Sequence, residues 1–151
     1  MGALKDRLHA DLTAAMKARD ELSTATLRMA LTAVGTEEVA GKAARQLSDD
    51  EVLKVLTREA KKRREAATAF ADGGRPDRAE RELAEEQVLS AYLPTQLSDA
   101  ELDALVREVV AETGAQGPQA MGTVMKALGP RVAGRAEGGR VAAAVRGALQ
   151  E

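Results

Sequence analysis

Apolar residues return at helical spacing from the start of the chain. Leu4, Leu8, Leu12, Ala15 and Met16 share one face, and Arg19-Asp20 closes the run. A second helix, capped by Asp20 or Ser23, carries Leu27, Ala30, Leu31 and Val34 on one face, with Leu22, Ala25 and Met29 beside them. The stretch from Ala40 to Gln46 has no stripe and reads as a fraying end and loop. Ser48-Asp49-Asp50-Glu51 has the capping-box spacing, in which the serine oxygen accepts from the third amide and the glutamate reaches back. The helix it starts bears Val52, Val55, Leu56 and Ala60, then Ala67 and Phe70, with a stripe that thins toward its end. Asp72-Gly73-Gly74-Arg75 ends it, and Pro76 suits the first turn of a fourth helix carrying Leu83, Val88, Leu89, Tyr92 and Leu93.

Tyr92-Leu93-Pro94-Thr95-Gln96-Leu97 reads as a hinge, followed by a second capping box, Ser98-Asp99-Ala100-Glu101. Leu102, Leu105, Val106, Val109 and Val110 then form the cleanest amphipathic stripe in the chain. Gly114-Ala115-Gln116-Gly117 ends that helix. Pro118 opens a short one that buries Met121, Val124, Met125 and Leu128 and is broken by Gly129-Pro130. After a glycine-rich loop, Val141, Val145, Ala148 and Leu149 make the final stripe. No segment alternates as a strand would, and no internal repeat stands out. The expectation is an all-α protein in two parts: an N-terminal helical region of about four helices over residues 1–93, and a C-terminal part over 94–151.

Composition changes the picture of the core. Of 151 residues, 44 % are apolar and 30 % charged, yet only Phe70 and Tyr92 are aromatic. Burial must therefore come from Leu, Val, Met and Ala, which suits closely packed helices and argues against a sheet. Both aromatic rings are expected to be buried. There is no cysteine, so disulfides and thiolate metal sites are excluded. The N-terminal Met1-Gly2-Ala3-Leu4-Lys5-Asp6-Arg7 leads into no apolar core of a signal peptide, and no run is long enough to span a membrane. A cytoplasmic protein without a membrane partner is expected.

Candidate chemistry is sparse. His9 is the only histidine, in an exposed-looking helical position, so neither a zinc set nor a Ser-His-Asp arrangement can be assembled. No catalytic residue, metal ligand or cofactor is expected. Glu37-Glu38 and Glu85-Glu86 read as surface pairs, and Arg58, Lys61, Lys62, Arg63 and Arg64, diluted by Glu59 and Glu65, as a solvated face. Gly134-Arg135-Ala136-Glu137-Gly138-Gly139-Arg140 lacks the spacing of a phosphate loop and follows no strand, so a tight interhelical turn is the plainer reading.

One charge feature stands out. The chain as a whole carries −2, but from Pro118 onward Lys126, Arg131, Arg135, Arg140 and Arg146 face only Glu137 and Glu151, a local surplus of +3. A basic patch on an acidic protein suits contact with a nucleic-acid backbone. With no aromatic residue in this segment to stack on bases, such contact would read shape and phosphates, as in a folded RNA.

Several ordered motifs resemble the GatB/YqeY family. They are Met16-Lys17-Ala18-Arg19-Asp20 with Leu22-Ser23-Thr24 and Leu27-Arg28-Met29; Arg63-Arg64-Glu65; Tyr92-Leu93-Pro94 with Gln96-Leu97-Ser98; Glu112-Thr113-Gly114-Ala115; Met121-Gly122-Thr123-Val124-Met125; and the run from Pro130 to Gly138. Glu137 stands where that family often has aspartate, and Thr123 where lysine is frequent. The resemblance implies an N-terminal helical region and a small three-helix C-terminal domain. The latter is similar to the tail of the B subunit of the glutamine-dependent aminoacyl-tRNA amidotransferase, which belongs to that subunit's tRNA-handling part. A carbon–nitrogen ligase activity would come only by inheritance of the family label, since no residues here could perform it. The leading expectation is an accessory protein that binds tRNA or another structured RNA, with Lys126, Arg131, Arg135 and Arg140 on phosphates. The alternative is a protein-interaction or adaptor module with a protein partner and no nucleic-acid role.

Overall fold

The computed structural model describes residues 2–150. Among them the chain forms seven α-helices and one short 3-10 turn, and no strand. It divides into two compact units, Met1–Leu93 and Pro94–Glu151.

The first unit holds α1 (Ala3–Lys17), α2 (Glu21–Glu38), α3 (Asp49–Asp72) and α4 (Pro76–Ser90). Its core gathers Leu8, Leu27, Ala30, Val34, Leu47, Val52, Val55, Leu56, Ala60 and Leu89. Asp20 is the cap of α2, its carboxylate accepting from the Ser23 amide at 3.0 Å. The chain turns between α1 and α2 through Arg19 at φ 56°, the only described non-glycine residue with a positive φ. A Cβ in that left-handed region is strained. Arg19→Gly is therefore expected to leave stability unchanged or to raise it by up to about 1 kcal/mol, relief of strain being partly offset by glycine's greater entropy loss. Thermal and urea unfolding would check this.

α3 begins with a reciprocal capping box: Glu51 N donates to Ser48 Oγ at 3.2 Å, and Ser48 N to Glu51 Oε1 at 3.1 Å. The amide and the nearby Arg45 hold the Glu51 carboxyl below its usual range. The residue before the cap, Leu47, is buried in the same core as Val52 on the first turn, the arrangement of a hydrophobic staple. The same local pattern, Leu97-Ser98-Asp99-Ala100-Glu101-Leu102, starts α5 in the second unit, and the two serines share φ −68° and ψ 164°.

α3 and α4 pack as a helical hairpin across the Gly73–Arg75 turn, and here several surface expectations are corrected. Glu85 and Glu86 retain only 14 % and 13 % side-chain exposure. Arg63 lies 3.5 Å from both Glu82 and Glu85, and Arg64 pairs with Glu86 at 3.1 Å. Arg81 binds Glu85 at 3.0 Å and holds Glu21 of α2 through two bonds of 2.7 and 2.9 Å. Glu38 is likewise drawn in, bonded to Lys5 at 2.8 Å. Where the apolar stripe of α3 thins, paired charges take over the helix contact. The inward line of α4 runs Ala79, Glu82, Glu86, Leu89, so Leu83 falls off it and is 47 % exposed.

Neither aromatic ring is fully buried. Phe70 is half-buried under the guanidinium of Arg78, 5.7 Å from the ring centre. Tyr92 is half-buried under Arg7 at 4.5 Å and donates its hydroxyl to Asp11 at 2.5 Å. Burial and the Asp11 carboxylate push the phenol pKa well up.

The second unit holds α5 (Asp99–Thr113), the 3-10 turn Pro118–Ala120, α6 (Met121–Val132) and α7 (Gly138–Leu149). Its core is Leu97, Leu102, Val106, Val109, Val124, Leu128, Val132, Ala136, Val141, Val145 and Leu149. Gly114 caps α5 at φ 67°. Pro118 opens the 3-10 turn rather than α6 itself, and α6 runs through Gly129-Pro130 instead of breaking there. Proline disfavours helix in the residue before it by colliding with that residue's N–H and Cβ, and Gly129 lacks the Cβ half of that clash. The extra turn also buries Val132.

Candidate nucleic-acid interface of the C-terminal unit

The four cations singled out in the sequence have unlike surroundings. Arg131, in the last turn of α6, forks onto two carboxylates of α5, donating to Glu108 at 3.0 Å and Glu112 at 3.3 Å. The acids sit at i and i+4 on α5, so one guanidinium reaches both. Arg131 holds the Glu108 carboxyl below its usual range, and Glu108 raises the arginine in return.

Arg135 and Arg140 belong to a latch between the segment ahead of α5 and the loop ahead of α7. Leu97 N donates to Arg135 O at 2.8 Å and Gln96 Nε2 to Gly134 O at 2.7 Å. In the other direction Arg135 Nε donates to Thr95 O at 3.2 Å, and Arg140 Nη2 to Leu97 O and Asp99 Oδ1, both at 2.9 Å. Gly134 turns the chain at φ 72° within this latch, a buried position that demands glycine. The glycine-arginine run, which reads in the sequence as a tight interhelical turn, thus also works as a clasp on the first residues of the unit.

Lys126 differs. It is exposed on α6 and makes no ion pair among the described residues. Arg146, exposed on α7, is in the same position. Neither α6 nor α7 contains a carboxylate within its bounds. The +3 surplus is redistributed by the fold. α5 brings Asp99, Glu101, Asp103, Glu108 and Glu112 against Arg107 alone, so residues 94–151 carry −1, counting Glu151, which lies outside the described residues. Charge counted along the chain treats Arg146 and Arg131 alike, and the resemblance of the tail favours Arg131, Arg135 and Arg140; neither shows which arginines meet an acid in the fold. The carboxylates spaced four apart on α5 were the available sign that an arginine would be claimed.

Elsewhere, His9 is exposed on α1, and among the described residues no three His, Asp or Glu side chains are grouped to hold a metal ion. No helix of the described residues is long and apolar enough to cross a membrane. Against known families, the model of the Yqey-like proteins matches residues 5–149, spanning both units. The chain belongs to the YqeY-like family. No curated protein matches it in sequence. The family match includes the latch, so Gln96-Leu97-Ser98 and Gly134-Arg135-Ala136, which carried part of the resemblance, have a structural task in this YqeY-like chain: they tie the segment ahead of α5 to the loop between α6 and α7.

Proposed function

We propose that the protein binds structured RNA, with tRNA as the leading candidate, through the outer faces of α6 and α7, and that Lys126 and Arg146 supply the phosphate contacts. The observation that carries this reading is that both cations stand exposed on helices without a carboxylate, while Arg131 and Arg140 are bonded to acids of α5. Arg135 and Arg140 then act as positioning residues that hold the loop before α7. The likeness of the tail to the amidotransferase B subunit supports an RNA partner, and the proposed role requires no amidation chemistry.

This revised set has a measurable signature. Two neutralised phosphates give a log K against log salt slope of about −1.4 to −1.8, whereas four would give about −2.8 to −3.6. Fluorescence anisotropy of a labelled tRNA transcript over a salt series is expected to give the shallower slope. Replacing Lys126 and Arg146 together by alanine is expected to abolish low-salt binding, while Arg131→Ala changes affinity by less than about twofold, its charge being already satisfied. Absence of binding at low salt, or a double variant that binds like the parent, would overturn the proposal.

A protein-binding role without nucleic acid is favoured by a separate observation: the acids of α5 take up two of the arginines and leave the unit slightly acidic. The same anisotropy experiment separates the readings, since an adaptor of this kind has no tRNA affinity at any salt.

A further inference from the structure

The junction of α1 and α2 holds an open hollow of about 450 Å³, lined by Met16, Arg19, Glu21, Thr24, Ala25 and Arg28. Its charges are unevenly matched. Glu21, the only acid of the lining, is held from outside the hollow by the two-bond grip of Arg81. The neighbouring Asp20 is occupied by the Ser23 amide. Arg19 makes no ion pair among the described residues, and Arg28 donates only to the thioether of Met16, at 3.3 Å. A thioether is a weak acceptor for a guanidinium. The Thr24 hydroxyl also makes no hydrogen bond among the described residues. Two forked donors and a hydroxyl therefore line one hollow, with Met16 and Ala25 as its apolar part.

The backbone adds an independent sign. Arg19 occupies a left-handed position that glycine or asparagine would fill with less strain. Arg19 thus combines a strained backbone with a place in the lining of the hollow, and strained residues of this kind gather at ligand sites.

From these observations we infer that the α1–α2 hollow is a binding site for the phosphate group of a small phosphomonoester, with Arg19 and Arg28 as its charged donors and Thr24 as a hydroxyl donor. One arginine fork satisfies a carboxylate, as Arg81 does for Glu21. The terminal oxygens of a phosphate monoester can accept two forks and a hydroxyl at once. The hollow's volume falls in the range of small-ligand sites, roughly 300–1,000 Å³, so an organic body can be seated beside the phosphate. The site lies wholly in the first unit and is independent of the RNA proposal for the second.

The test titrates the full chain, labelled with nitrogen-15, with inorganic phosphate, AMP, adenosine and acetate, following backbone amide shifts. Phosphate and AMP are expected to give saturable shifts centred on residues 16–28, and adenosine and acetate none. Arg19→Gly combined with Arg28→Gln is expected to weaken AMP binding by at least about tenfold, the loss of two charge-assisted contacts. Because glycine suits the backbone at position 19, a folded spectrum of that variant keeps the comparison meaningful. No saturable shift with phosphate or AMP, adenosine binding as well as AMP, or an unchanged affinity in the double variant would overturn the inference.

Discussion

Leu128→Ala is expected to remove about 3 kcal/mol from the C-terminal unit, within the 2–5 kcal/mol that a buried leucine truncation costs. Leu128 has no exposed surface and sits on α6 among Val106, Val124, Val132 and Val145. The core around it is built almost wholly from valine and leucine. The β-branched valines are stiff at χ1 and move little to refill a gap, so the site should keep most of its cavity. A unit of this length has a total stability of only about 3–9 kcal/mol at the usual per-residue value. The single change therefore uses up a third or more of it. Amide exchange in residues 94–150 would measure the loss directly. Protection there falling by less than about tenfold, which is 1.4 kcal/mol, would show that the core closes up and that its packing is looser than described.

Arg63→Met is expected to cost the N-terminal unit about 2–4 kcal/mol. Removing one partner of a buried pair costs roughly 3–5 kcal/mol because the other charge is left without compensation, and the partial exposure here lowers that range. The arginine side chain is 19 % exposed, and Glu82 and Glu85 are 19 % and 14 % exposed. Even in the intact protein Arg63 Nε and Glu82 Oε2 are buried without a hydrogen bond, because they stand 3.5 Å apart. The pair is thus held by charge more than by directed bonding. Methionine fills similar volume next to Met29, whose sulfur now accepts from Arg63 Nη1 at 2.7 Å, so the loss should report electrostatics rather than a void. Adding Glu82→Gln to Arg63→Met should recover part of the deficit, and a double-mutant cycle by urea unfolding followed by circular dichroism would read the coupling. Simple additivity would show that the two side chains do not interact.

The helices themselves were legible because their signals are local. Both capping boxes, the Asp20 cap and the proline at the start of α4 follow from residues within a few positions of one another. Helix interiors fared as well wherever the stripe was aliphatic, as in α5 with Leu102, Val106 and Val109 buried. The misreadings came where a residue's fate depends on a neighbour distant in sequence. Glu85, Glu86 and Arg63 look like solvated charges on their own helices and become partners only when α3 meets α4. Arg131 looks like a free cation until α5 lies beside it. Gly129-Pro130 reads as a stop because proline usually is one; here the missing Cβ of glycine and the burial of Val132 outweigh it. In the sequence Met16, Arg19 and Arg28 belong to a family pattern and show no link to one another; they come to line one hollow only after the chain turns at Arg19.

The placement of Tyr92 decides what light can reveal about this protein. It is the only tyrosine, there is no tryptophan, and Phe70 is the only other aromatic residue, so the chromophores above the peptide band all precede Pro94. The tail is optically silent at those wavelengths. Emission near 300 nm would follow the Asp11–Tyr92 contact in the first unit, and α5, α6 and α7 carry no aromatic reporter of their own. A fluorescence melting curve and a far-ultraviolet one can therefore differ without any intermediate in either unit, and a tryptophan placed at exposed Gln119 or Ala127 would give the second unit a signal of its own.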